Sequence, residues 1–107
     1  MPCRYTFGFH SLRELSEHFT AHGALLGVYT EDEYLTLADE MFCAPRPVST
    51  HQFVRPWNGD DVRYDDAKDV FAIITKYGRL KTCYRPEPRF HGCSTNLDYY
   101  LKERSKA

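Results

Sequence analysis

Val70-Phe71-Ala72-Ile73-Ile74-Thr75-Lys76-Tyr77-Gly78-Arg79-Leu80-Lys81-Thr82-Cys83-Tyr84-Arg85 is the stretch that decides the fold. It opens on an apolar, β-branched run, breaks at Lys76-Tyr77-Gly78, and returns as alternating basic and apolar or hydroxyl residues. Branched side chains crowd a helix but suit a pleated surface. A glycine at the break lets the chain reverse. The reading is an antiparallel hairpin. In its returning strand, period-two alternation places Leu80, Thr82 and Tyr84 on one face and Arg79, Lys81, Cys83 and Arg85 on the other.

Upstream, Asp65-Asp66-Ala67-Lys68 is a polar turn after a strand that begins at Val62 to Tyr64. Asn58-Gly59 is a turn signal, lengthened by Asp60-Asp61, and His51 to Arg55 is a short strand before it. Asp60-Asp61 can hold a cation, but carboxylates beside a glycine are also ordinary turn chemistry. Pro45 and Pro47 end a helix that begins at the capping box Thr30-Glu31-Asp32-Glu33, with Tyr34, Leu37, Ala38, Met41 and Phe42 as its apolar stripe. Ser11-Leu12-Arg13-Glu14 opens an earlier helix, with Leu12, Leu15 and Phe19 at helical spacing and Gly23 as its stop. Downstream, Pro86 and Pro88 end the last strand, and Thr95-Asn96-Leu97-Asp98 cap a short final helix, Tyr99 to Glu103. The expected fold is α+β: two N-terminal helices packed on a four-stranded antiparallel sheet, with a short C-terminal helix, in a single domain over residues 1–107.

Composition supports a folded domain. The 107 residues are 42% hydrophobic and 15% aromatic, enough apolar material for one core. No apolar run approaches a membrane span, and Met1-Pro2-Cys3-Arg4-Tyr5 leads into no signal-peptide core. The net charge of −1 conceals an uneven spread. Residues 1–62 hold four basic and nine acidic side chains, −5, whereas residues 63–107 hold ten basic and six acidic, +4. A basic half suits a polyanionic ligand, although an ordinary mixed surface has the same arithmetic.

The four cysteines, at 3, 43, 83 and 93, form no CxxC. They read as reduced, mostly buried thiols. Cys83, His91 and Cys93 are three possible zinc ligands, at a spacing that fits no standard motif. No phosphate-cradling glycine loop, dinucleotide fingerprint or nucleophile elbow is present, which argues against NTPases, dehydrogenases and α/β-hydrolases.

Other residues carry the candidate chemistry. His18 and His22 lie four apart on one helix face. Such a pair can act as acid and base near neutral pH, hold a metal, or simply pack at a core edge. Phe19 stands where a zincin-type motif needs Glu. The strand from Arg79 to Arg85 interleaves cations with Thr82 and Tyr84. Guanidinium groups can hold a scissile phosphate and its transition-state charge, a Thr hydroxyl can donate to it, and a tyrosine can stack on a base. The same strand can equally be a solvent-facing one with charged side chains. His91-Gly92, followed by Thr95, Asn96 and Tyr99, lies in a loop, where function concentrates; Thr95 and Asn96 can also be simple caps. These parts meet the needs of a metal-free ribonuclease: a base for the ribose 2′-hydroxyl, an acid for the leaving oxygen and cations around the phosphate.

Several segments together resemble a known family. They are His18-Phe19-Thr20-Ala21-His22-Gly23, Tyr34-Leu35-Thr36-Leu37-Ala38, Gly59-Asp60-Asp61-Val62-Arg63-Tyr64-Asp65, Asp69-Val70-Phe71-Ala72-Ile73, Gly78 to Pro86, and His91-Gly92 with Thr95-Asn96-Leu97-Asp98-Tyr99-Tyr100. In this order they resemble the C-terminal toxin domains of bacterial polymorphic and contact-dependent inhibition systems, in the barnase/EndoU/colicin/RelE-like superfamily of ribonucleases. The resemblance implies a metal-independent endoribonuclease without a cofactor. It would cleave tRNA by 2′-hydroxyl attack, leave a 2′,3′-cyclic phosphate, and be neutralised by a cognate immunity protein. It points to His18, His22, Arg79, Thr82 and His91 as catalytic residues; beside them, the basic strand and the loop after it offer Lys81, Tyr84, Arg85, Asn96 and Tyr99 as the expected substrate-binding set. Such toxins usually end a large secreted protein, and this chain starts at Met1 with no delivery region. The expected place of action is the cytoplasm, of a target cell if delivered and otherwise of the producing cell, with no membrane partner. The alternative is a non-catalytic RNA- or protein-binding module of phage or prophage origin.

Overall fold

The computed structural model describes residues 5–107. Two helices, α1 (Leu12–Leu26) and α2 (Glu31–Glu40), precede four strands, β1 (Thr50–Val54), β2 (Asp61–Asp65), β3 (Val70–Ile74) and β4 (Leu80–Tyr84). A one-turn helix α3 (Pro88–His91) and a longer α4 (Asn96–Ser105) follow. The strands form an antiparallel meander in the order β1-β2-β3-β4. This is the expected α+β architecture.

The layers explain the composition of β3. Phe9, Tyr34, Ala38 and Met41 pack with Val70, Ala72 and Ile74 on one sheet face, under α1 and α2. Phe53, Val62, Phe71 and Ile73 pack with Tyr100 of α4 on the other. All five β3 residues are therefore buried, and an uninterrupted apolar run is what two covered faces demand.

The helix caps follow local chemistry. Thr30 accepts the Glu33 N–H while the Glu33 carboxylate accepts the Thr30 N–H, a complete capping box. Ser11 accepts the Glu14 N–H at 3.1 Å. Gly23, however, does not stop α1. The helix runs on to Leu26, and Gly27, at φ +74°, caps it with its N–H directed to Gly23 and Ala24 carbonyls. Gly23 serves packing instead: a Cβ there would lie 2.7 Å from the Phe19 ring. Leu12, expected in the stripe, is 83% exposed. That end of the layer is filled by Phe9, which stacks on His18 and Tyr34.

β4 and α4 also depart from the expected register and bounds. Leu80 pairs with Ile74 and Thr82 with Ile73, so Lys81 is an extra residue in a bulge. The bulge moves Leu80 to the helix-side core beside Cys83, away from Thr82 and Tyr84, which keep the register of Ile73 and Phe71. Alternation alone could not place that slip. The last helix begins at Asn96 rather than Tyr99, because Thr95 is its N-cap and accepts the Asp98 N–H at 3.0 Å.

Of the three cysteines described, all free, only Cys83 is buried; Cys43 and Cys93 are half-buried. Cys3 lies outside the described residues. Asp60 and Asp61 serve turn and ion-pair chemistry: Asp60 meets Lys81 at 2.8 Å and Arg55 at 3.5 Å, and Asp61 meets Arg63 at 3.3 Å.

Asp65, 2% exposed, anchors the start of β1 and the β2–β3 turn. It accepts from Thr50 Oγ1 at 2.7 Å, the Lys68 N–H at 2.9 Å and Ser49 Oγ at 3.2 Å. Burial pushes its carboxyl up, but these hydrogen bonds and the Lys68 charge together hold it below the ordinary value. A depressed carboxyl stabilises the fold in full above its unfolded pKa and loses that contribution as pH falls through its folded pKa. Asp65→Asn should therefore melt below wild type at neutral pH, with the gap closing in acid. A gap independent of pH would contradict the ionised-anchor account.

Among the described residues the buried Tyr100 hydroxyl has no hydrogen-bond partner. A buried hydroxyl left unpaired costs about 1–3 kcal/mol. Tyr100→Phe keeps the ring against Phe53 and Tyr64 and should leave the melting temperature unchanged or raised. A fall of more than a few degrees in calorimetry would show that the hydroxyl is paired.

Candidate functional site

At the end of β4 the chain leaves the sheet, and four elements converge. His22 of α1, Tyr84 at the end of β4, Phe90 and His91 of α3, and Tyr99 of α4 line a cavity of about 370 Å³. Arg85, Pro86 and Glu87 complete its wall. Five of the lining side chains are aromatic rings, and ring contacts continue beyond it. His18 and His22 centroids lie 5.9 Å apart, His22 and Tyr84 5.4 Å, and His91 stacks on Tyr99 at 4.6 Å.

Local sequence explains each placement. The i, i+4 spacing aligns His18 and His22 along α1. Pro88 at the first position of α3 and Gly92 at φ +75° behind it confine that helix to one turn. The Thr95 cap then turns α4 so that Tyr99 meets Tyr84, hydroxyl to hydroxyl at 2.9 Å.

The polar groups differ in how far they are committed. The Cys93 N–H donates to His91 Nδ1 at 3.0 Å, and His91 Nε2 lies 2.9 Å from Asn96 Oδ1. Asn96 in turn donates through Nδ2 to Asp69 Oδ1 at 2.8 Å, which fixes its amide orientation. With Nδ1 accepting, the His91 ring proton toward Asn96 sits on Nε2, which donates to Asn96 Oδ1. Tyr64 donates to the same Asp69 oxygen at 2.6 Å. Asp69 sits in the left-handed region at φ +57°, an uncommon conformation for a side-chain-bearing residue. Arg85 donates to the carbonyls of Leu25, Lys68 and Asp69 at 2.7, 3.0 and 3.0 Å. It supplies the cation that the last turn of α1 lacks.

His22 is the contrast. Neither of its ring nitrogens bonds to another described residue, and burial, then the His18 charge, lower its pKa from 6.5. Near neutrality it is an uncharged imidazole with free lone-pair capacity. The phenol of Tyr84 is pushed far up by burial, then by the Tyr99 hydroxyl, so it remains a neutral donor.

The cavity thus gathers His22, Tyr84, Arg85, His91 and Tyr99 from the sequence-derived set, with His18 beside it and Asn96 behind His91. Thr82 lies two residues before Tyr84 on the same sheet face. Two residues lie elsewhere. Arg79, at the opposite end of β4, donates to the Phe7 and Phe9 carbonyls. Lys81 is bound to Asp60. Cys83 faces the helix-side core with its thiol pushed up to about 12 by burial, apart from His91 and Cys93. No group of three or more potential metal ligands occurs among the described residues. Sequence reasoning missed Asp69, Glu87 and Phe90. Asp69 carries no signal beyond an acidic turn, since only its backbone conformation and its partners mark it out.

Fold and site together define an α+β domain with an aromatic, histidine-bearing cavity at one end of its sheet. No family model matches the chain, and no curated protein matches it.

Proposed function

We propose that the chain is a metal-independent endoribonuclease acting on tRNA, with His22 as the general base. The observation that carries this reading is His22 itself: a neutral imidazole whose nitrogens bond to no other described residue, in a cavity walled by rings on which an unpaired base can stack. His22 would take the 2′-hydroxyl proton. His18, whose charge disfavours a second proton on His22, would return one to the leaving oxygen. Arg85 supplies a cation in the wall, and Thr82 lies two residues before Tyr84 on the strand. Arg79, bound to the N-terminal segment, would act through the fold instead. The order of the segments that resemble bacterial toxin domains supports the same reading, with a cognate immunity protein as partner and the cytoplasm as the place of action.

The test is digestion of total tRNA in EDTA, with product ends analysed. Cleavage by wild type but not by His22→Ala, leaving cyclic phosphate ends, is the expected result. Intact tRNA with the folded wild type would overturn the reading. A non-catalytic RNA-binding module is the second reading. It is favoured by the commitment of His91 and Arg85 to protein partners, which leaves the cavity more stacking surface than free polar groups.

A further inference from the structure

The sheet face that carries Tyr84 bears a second group of residues closer to its opposite end. Phe53 of β1 packs on the α4 side of the sheet, and Arg55, two residues on, continues that face. Val62 of β2 does the same, which puts Asp60 with it. Asp60, 4% exposed, joins the two cations, meeting Lys81 at 2.8 Å and Arg55 at 3.5 Å. Asn58 holds the carboxylate from the loop at 3.0 Å. The group therefore carries two positive charges and one negative, and the Lys81 side chain remains 49% exposed. Beside it stands Trp57, 60% exposed, with the Arg55 guanidinium 5.9 Å from its ring centroid.

A large exposed indole next to a surplus cation has the two parts of a single-strand nucleic-acid contact, a ring to stack on and a charge for the backbone. The position fits as well. Lys81 precedes Tyr84 by three residues, about 10 Å along the strand, with Thr82 between them.

We propose that Trp57, Arg55 and Lys81 form a second subsite, which stacks an unpaired base and holds its phosphate next to the nucleotide in the His22 cavity. The substrate class is then single-stranded RNA, such as a tRNA loop, rather than duplex. This rests on the ribonuclease reading for its placement, but its test does not require cleavage. Trp57 is the chain's one tryptophan, so its fluorescence reports this subsite alone.

The experiment titrates His22→Ala protein with a ten-nucleotide oligouridylate, and with an RNA duplex as comparison. The expected result is saturable quenching by the single strand and little by the duplex. Anisotropy of the labelled strand should show Trp57→Ala binding about ten- to a hundredfold more weakly, with Trp57→Phe retaining most of the affinity. Circular dichroism should be unchanged, because the side chain is exposed. Absence of quenching, or equal affinity of Trp57→Ala and its parent, overturns the subsite even if wild type cleaves tRNA. Quenching in a protein that cleaves nothing keeps the subsite and replaces the nuclease reading with the binding module.

Discussion

His22→Ala is expected to slow tRNA cleavage about 10²- to 10⁴-fold, the contribution of a positioned general base. The expected loss is in turnover rather than affinity, since the stacking rings remain. The pH profile gives an independent check. Burial and His18 place the titration of His22 below 6.5, so the acidic limb of kcat/KM should fall below that value. In His18→Ala the like charge is gone, and the acidic limb should move upward toward the ordinary imidazole value. An unmoved limb, or one set above 6.5, would show that another group is the base. His91→Ala should be milder in this profile, because both of its nitrogens are already bound to Cys93 and Asn96.

Tyr34→Ala is expected to be the most destabilising single substitution on the helix side. Tyr34 is fully buried, and its hydroxyl donates to the Cys83 carbonyl at 2.5 Å, joining α2 to β4. Its ring meets Phe9 at 5.9 Å and Phe19 at 6.2 Å. Emptying a large aromatic site costs about 3–5 kcal/mol, against a total stability of about 5–15 kcal/mol for a domain. At this size each kcal/mol lowers the melting temperature by about 4–8 °C, so the fall should exceed about 12 °C. Tyr34→Phe, which loses only the hydrogen bond, should cost about 1 kcal/mol. A small loss in the alanine variant, or equal losses in the two, would show that this ring does not hold the layers together.

How far the sequence carried the fold depends on the kind of signal. Thr30 and Glu33 announced α2 because a capping box is local chemistry. β3 announced itself because burial on both faces leaves no polar position. The Lys81 bulge was hidden, since it depends on pairing with β3 and on the reach of Lys81 to Asp60. Gly23 misled for a related reason. A glycine that admits the Phe19 ring looks the same in sequence as one that ends a helix, and only the true cap at Gly27 separates them. For the site, the helix spacing of His18 and His22 was readable, as was the aromatic character of Tyr84 and Tyr99. What was not readable was that Arg79 and Arg85, which flank β4 at its two ends, both bind main-chain carbonyls. Asp69 was invisible because its importance lies in a dihedral angle and in partners from β2 and α4.

The N-terminal segment has a consequence for how the molecule avoids its own kind. The Phe7 N–H donates to the Gly78 carbonyl and the Leu80 N–H to the Gly8 carbonyl, both at 2.8 Å, and Phe9 bridges Leu80 in parallel. These contacts lie along the margin of β4 that faces away from β3. A sheet margin with idle amides is a template for aggregation, and here the entry end of that template, at Gly78 and Leu80, is already occupied from within. The opposite margin, β1, is five residues long and is bracketed by Pro47 and Pro56. A stray strand from a neighbouring molecule would find one border blocked at its entry end and the other flanked by prolines that cannot donate to a continued ladder.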